Sequence, residues 1–180
     1  VFIENQTKEY PISIALIAHG YNIFDERASM KIFDKLEKMD VKVYSSLQLS
    51  KEQMDDGIKA LGQDMYWANE REMTGAAGHF MKDNKIDGMI TVTAFGCGPD
   101  SLMVERITRK AKRFNKPLLN LTIDEQTGEA GFITRIEAFV DMLFRKKRAN
   151  ILKNIDLSDK SVLNKHTINK ISNKHINNNL

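Results

Sequence analysis

Four short segments of mostly apolar and β-branched residues, each followed by a stretch of helical periodicity, constrain this chain more than any other feature. They are ISIALIAH (12–19), VKVYSS (41–46), IDGMITVTAF (86–95) and KPLLNLTID (116–124). Strands wetted on one face alternate polar with apolar residues. Near-continuous apolar strands are instead buried on both faces, as in a parallel sheet with helices on each side. The pattern predicts a three-layer α/β domain, and right-handed crossovers favour a four-stranded flavodoxin- or Rossmann-like sheet in the order 2-1-3-4.

The intervening segments read as helices. DERASMKIFDKLEKMD (25–40) places Ala28, Ile32, Leu36 and Met39 on one face. Ser50 with Gln53 forms a capping-box pattern ahead of Met54, Ile58 and Leu61. A longer helix is expected from Asp64 to Asn84, where Gly75 and Gly78 weaken the helix or let another backbone approach closely. SLMVERITRKAKRF (101–114) should turn Leu102, Met103, Ile107, Ala111 and Phe114 inward. A final helix over 129–148 carries Phe132, Ile136, Phe139 and Leu143 on one stripe, with acids at its start and bases at its end as the helix dipole favours. Residues 1–149 are thus expected to form the α/β domain. Residues 150–180, rich in Asn and Lys, are expected to be a weakly ordered extension or a peripheral helix.

In parallel sheets of this kind ligands meet the loops at the carboxyl ends of the strands. Three loops land there: HGYN after strand one, GCGPDS after strand three and DEQTGEAG after strand four. The GCGPDS loop holds the one cysteine of the chain, Cys97. Gly96 and Gly98 relax the backbone around it, Pro99 suits a first helical turn, and Asp100 or Ser101 is placed to cap the helix. A thiol beside a helix N-terminus is favoured as thiolate, the form that attacks carbonyls and binds iron or zinc. The bland alternative is a small buried hydrophobe. His19, with Tyr21 and Asn22, edges the same region as a base or ligand, or as a hydrogen-bonded structural histidine. Asp124, Glu125, Thr127, Gly128 and Glu129 would line that edge, with Arg135 available to pair with the acids. The acids argue against an anion site there. His79 reads as an ordinary helical residue, and Tyr66 with Trp67 as core or as a pocket wall.

Spacing narrows the chemistry of Cys97. A cysteine phosphatase loop needs arginine six residues on, where Met103 stands. A glutamine amidotransferase elbow needs glycine two before and two after, where Phe95 and Pro99 stand. A hydrolase built from Cys97, His19 and Asp124 or Glu125 stays open.

Charge adds little about partners. The net charge of +3 lies after Asn150, where five lysines face two aspartates; the remaining 22 basic and 22 acidic residues balance. Nothing on the body suggests nucleic acid. The longest apolar run is too short for a membrane span. No basic and apolar leader stands at the N-terminus, and Val1 in place of methionine is consistent with a segment of a longer chain. A single cysteine rules out an internal disulfide framework and suits the cytoplasm.

AFGCGPDS (94–101) together with LTIDEQTGEAGFITRIEAFVDML (121–143), YN at 21–22 and YW at 66–67, resembles a known group. It is similar to the domain of unknown function in 2-hydroxyacyl-CoA dehydratase activator-related, or CoA-substrate-specific enzyme activase-related, proteins. The similarity spans about residues 11–148. TRIEAF (134–139) carries it into the last helix, while Gln126 and Gly20 depart from the histidine and proline common there. The resemblance implies a component of ATP-driven, low-potential electron transfer, working with an ATPase activase module or a dehydratase-like subunit and with CoA thioesters. It also makes Cys97 a ligand to a shared [4Fe–4S] cluster, with Gly96, Gly98, Asp100 and Ser101 shaping the loop. Such a cluster generally takes four thiolates, so this chain alone is not expected to hold one. Two other classes remain beside it: a cysteine-dependent acyl or thioester hydrolase, and a non-catalytic docking domain for an ATPase module.

Overall fold

The computed structural model describes residues 9–25, 29–62 and 64–176, with side chains as far as 153. Four strands, β1 (Ile12–Ala18), β2 (Val41–Ser45), β3 (Gly88–Ala94) and β4 (Leu118–Ile123), form one parallel sheet in the order β2-β1-β3-β4. Ile14 to Ala18 of β1 pair in register with Gly88 to Val92 of β3, so these two strands are central. Every residue of β1 except Ser13 is buried, as the continuous apolar run requires.

Helices cover both faces. Alternate residues of the central strands, Ala15, Ile17 and Met89, pack with Met73, Ala77 and Phe80 of α4 (Ala68–Lys82) and with Met103 and Ile107 of α5 (Gly98–Arg113). The opposite face meets the start of α6 (Glu129–Ile176). A Cβ at Gly88 would lie 2.9 Å from the Leu143 side chain and 3.0 Å from that of Phe139, so α6 packs closely on that strand start. The stripe Phe132, Ile136, Phe139 and Leu143 is buried as its periodicity predicts. Lys35 of α2 (Ile32–Lys38) pairs with Glu129 at the start of α6 at 2.7 Å. The compact α/β unit ends at Leu143, and Phe144–Leu180 forms a second unit in which α6 runs on as helix through Ile176. His166 and His175 fall among the residues whose side chains are not described.

Several local readings are corrected. The segment after β1 is not one helix: a short α1 (Gly20–Phe24) follows the strand directly, and α2 starts only at Ile32, after left-handed backbone at Met30 and Lys31. Ala28 lies outside the described residues. The helix expected from Asp64 starts at Ala68. In α5, Leu102 and Phe114 face outward, 60% and 40% exposed, while Met103, Ile107 and Ala111 form the buried stripe. Ser50 does cap α3 (Lys51–Leu61) with the reciprocal Gln53 bond, and Gly62 ends that helix in left-handed conformation. Gly75 and Gly78 do admit a backbone: the α3 segment around Met54 and Gly57 lies directly against them.

Candidate functional site: a buried histidine and two carboxylates beside a lone thiol

The chain leaves β1 toward β2 and leaves β3 toward β4, in opposite directions across the sheet. The crevice between these strand ends is where such sheets bind ligands. His19 follows β1 at the N-cap of α1, but its side chain makes no capping bond there. Its Nε2 instead lies 2.8 Å from Oδ1 of Asp100 in the first turn of α5. Glu70, in the first turn of α4, places Oε1 3.7 Å from the same nitrogen. All three are buried, at 7%, 1% and 6% exposure, and one ligand atom from each falls within 4.8 Å of the others. The ring of Tyr21 stacks on His19 at 5.0 Å and 9°.

Two carboxyl groups face one imidazole, so the acids of the cluster outnumber its base. Among the described residues His19 is the one ion-pair partner of either acid. The amino ends of α4 and α5 favour anions but supply only partial charges. Among the described residues three buried polar atoms have no hydrogen-bond partner: Oδ2 of Asp100, Oγ1 of Thr74 one turn beyond Glu70 in sequence, and Nδ2 of Asn22. An unmade bond in such surroundings costs about 1–3 kcal/mol. The phenol pKa of Tyr21 is raised above 10.0, first by partial desolvation and then by the charges of Asp100, Cys97 and Glu70.

Cys97 stands beside this cluster as the N-cap of α5, part exposed, with Pro99 in the first turn. The expected cap, Asp100 or Ser101, is thus displaced. Asp100 turns inward to His19, and Ser101 donates through both N–H and Oγ to the Cys97 carbonyl. Of the two flanking glycines only Gly96 has left-handed backbone, with φ of 79°. A Cβ at either would meet no atom within 4 Å, so the thiol sits on a narrow, uncluttered loop.

The loop after β4 is organised separately. Thr127 Oγ1 donates to Asp124 Oδ1 and accepts from the Asp124 N–H, and the Gln126 N–H also donates to Oδ1. These bonds hold the Asp124 carboxyl below its usual pKa, and the Lys35 ammonium does the same for Glu129. Glu125 is exposed, Gly128 accepts from Phe132, and Arg135 donates to the Asn120 carbonyl rather than to these acids. The histidine that a Cys97 hydrolase with Asp124 or Glu125 would need, His19, is paired with Asp100. Glu70 and Thr74 carried no local signal. An acid in a first helical turn is common, and only the folding of α4 against β1 brings this one to His19.

A groove of about 490 Å³ opens between the segment entering α4 and the exposed side of α5, the two helices that supply Glu70 and Asp100. Tyr66, Trp67 and Leu102 line it with apolar surface, and Arg106, Arg109 and Arg113 with positive charge. Arg106 is anchored to the Asp64 carbonyl and the Met65 sulfur, and Arg109 pairs with Glu105 one turn back.

A complete [4Fe–4S] cluster does not fit these residues: it generally takes four thiolates, the chain has one, and its neighbours are imidazole and carboxylate. No helix among the described residues is long and apolar enough to cross a membrane. Among curated proteins none matches the sequence. Residues 15–143, from the middle of β1 to the end of the buried stripe of α6, match the family HGD-D, 2-hydroxyglutaryl-CoA dehydratase, D-component. That span covers both crevice loops, His19, Glu70 and Cys97 with Asp100, and it is to this dehydratase family that the chain belongs.

Proposed function

We propose that the chain is an α/β component of a 2-hydroxyacyl-CoA dehydratase-like system of the activator-related kind, working with partner subunits on a CoA thioester. In this reading Cys97 gives one thiolate to an iron–sulfur site whose remaining thiolates lie outside this chain, and an ATPase partner supplies low-potential electrons. The observation that carries the reading is the placement of Cys97. It is a part-exposed free thiol at a helix start in the strand-end crevice, with open space at Gly96 and Gly98 for a bulky group and a partner surface. The basic groove along α5 supports the substrate class. A CoA nucleotide needs cations for its phosphates and a flat apolar surface for adenine, and Arg109, Arg113, Tyr66 and Trp67 are of those kinds.

The test is anaerobic reconstitution of iron and sulfide into the longest native chain that contains this domain, together with its co-purifying subunits, in wild-type and Cys97→Ser forms. Cluster content that falls in Cys97→Ser with the fold retained supports the ligand assignment. Equal iron and sulfide in the two would overturn it.

A further inference from the structure

We infer that His19, Glu70 and Asp100 form a mononuclear site for a divalent transition-metal ion, distinct from any cluster at Cys97. The inference rests on the buried cluster itself and stands independently of the redox reading. The donors are one imidazole nitrogen and two carboxylates, a set suited to zinc, cobalt or ferrous iron rather than to calcium or magnesium, which take oxygen donors.

Geometry agrees with this. Ligand atoms around an ion with bonds of about 2.1 Å lie roughly 3.0–3.4 Å apart. The distances here, 2.8 Å and 3.7 Å from His19 Nε2 to the two acids, bracket that spacing. Entry of the ion takes the place of the hydrogen bond between His19 and Asp100, and draws together three ligand atoms that already lie within 4.8 Å of one another.

Charge and satisfaction point the same way. Buried acids in excess over buried bases are stabilised by protons or by a cation, and among the described residues no lysine or arginine pairs with Glu70 or Asp100. Asp100 Oδ2 has no partner although the residue is 1% exposed, so a cation beside this carboxylate would supply the interaction it lacks. Thr74 Oγ1, also unpartnered and fully buried, lies one helical turn from Glu70, where it could hydrogen-bond a coordinated carboxylate or water. The ligands start three separate helices, so the ion would tie β1, α4 and α5 together at the crevice.

The experiment is anaerobic titration of the chelator-treated 180-residue chain with Co²⁺, followed by visible absorption, with Zn²⁺ competition measured by calorimetry. One Co²⁺ per chain is expected, with weak d–d bands, no thiolate-to-cobalt charge transfer, and the same spectrum in Cys97→Ser. Glu70→Gln and Asp100→Asn should each weaken binding by about 10–100-fold or more. Binding should persist in His166→Gln/His175→Gln. Glu70 makes no hydrogen bond within the cluster, so Glu70→Gln decides the matter if Asp100→Asn does not fold. Absence of stoichiometric binding to the wild-type chain would overturn the site. So would full affinity in Glu70→Gln, a thiolate band lost in Cys97→Ser, or loss of the ion with the tail histidines. A cluster result at Cys97, positive or negative, leaves each of these readouts unchanged.

Discussion

Replacing Gly57 by alanine should destabilise the fold even though it improves a helix. In an exposed helix this change would stabilise by about 0.8–1 kcal/mol, because glycine is a poor helix former. Here the new Cβ would stand 1.8 Å from the carbonyl oxygen of Gly75 and 2.7 Å from the backbone nitrogen of His79. Both obstacles are main chain in the facing helix, so no rotamer change relieves them. To restore ordinary contact the helices α3 and α4 must part by about 1.5 Å over this turn. Gly78 is the reciprocal position, its Cβ falling 2.0 Å from the Gly57 oxygen. Overpacking of a tight core contact costs about 1–3 kcal/mol and occasionally more. With the backbone unable to yield, the net loss for Gly57→Ala should be about 2 kcal/mol or more. Urea unfolding followed by circular dichroism measures it. With a slope of about 1–3 kcal/mol per molar, the midpoint should fall by roughly 1 M. The Gly57→Ala/Gly78→Ala pair should lose less than the sum, because helices already parted have made room for the second methyl. A midpoint unchanged or raised in Gly57→Ala would refute the reasoning, since it would mean the helices are not in backbone contact.

Three further outcomes follow from the crevice. The two loop glycines should respond in opposite directions: Gly96→Ala loses about 1–2 kcal/mol at its left-handed backbone, whereas Gly98→Ala, with open space and ordinary dihedrals, gains about 0.4–1 kcal/mol, both readable from urea midpoints. The Tyr21 phenol, raised above the ordinary value, should ionise late in an absorbance titration corrected with Tyr21→Phe; Asp100→Asn and Glu70→Gln should each move it back toward 10. Because this pKa is higher folded than unfolded, its contribution to stability is whole below pH 10 and is lost as pH rises through the folded value, so Tyr21→Phe should flatten the alkaline end of the stability profile. Arg109→Ala and Arg113→Ala should each weaken CoA binding by about 10–100-fold at low salt, as loss of a charge-assisted phosphate contact does, and equal affinity by calorimetry would remove the groove from the substrate path.

The sheet was legible because its signal is local and redundant. Six apolar residues among the seven of β1, interrupted only by Ser13, admit few environments, and the crossover rule then orders the strands. The Ser50 and Gln53 box was legible for the same reason, since both partners lie within one turn. The break at Met30 and Lys31 was not, because two ordinary residues in left-handed backbone leave no compositional mark and the helical period runs through them. The site was legible only in part. His19 and the Cys97 loop announce themselves at strand ends. Asp100, however, read as a cap and as part of the Cys97 loop, not as a partner of His19, because an acid in a first turn usually is a cap, and Glu70 read as nothing. Leu102 and Phe114 misled in a related way: apolar residues at near-helical spacing read as core, and here Leu102 lines the groove while Phe114 ends the helix in partial exposure.

The pairing of His19 with Asp100 spans 81 residues of chain, and Glu70 reaches the same point from a third crossover. None of the three can find its partners within a single hairpin or helix pair. They meet only when β3 has been laid beside β1 and both α4 and α5 have docked on one face. Until then each carboxylate keeps its water. The cost of stripping that water is offset by the imidazole, and only in part, when the strands are wound in the correct order. A misthreaded sheet would bury an acid without its imidazole and be penalised by several kcal/mol. The polar trio is a poor source of stability but an effective discriminator among ways of winding the same strands.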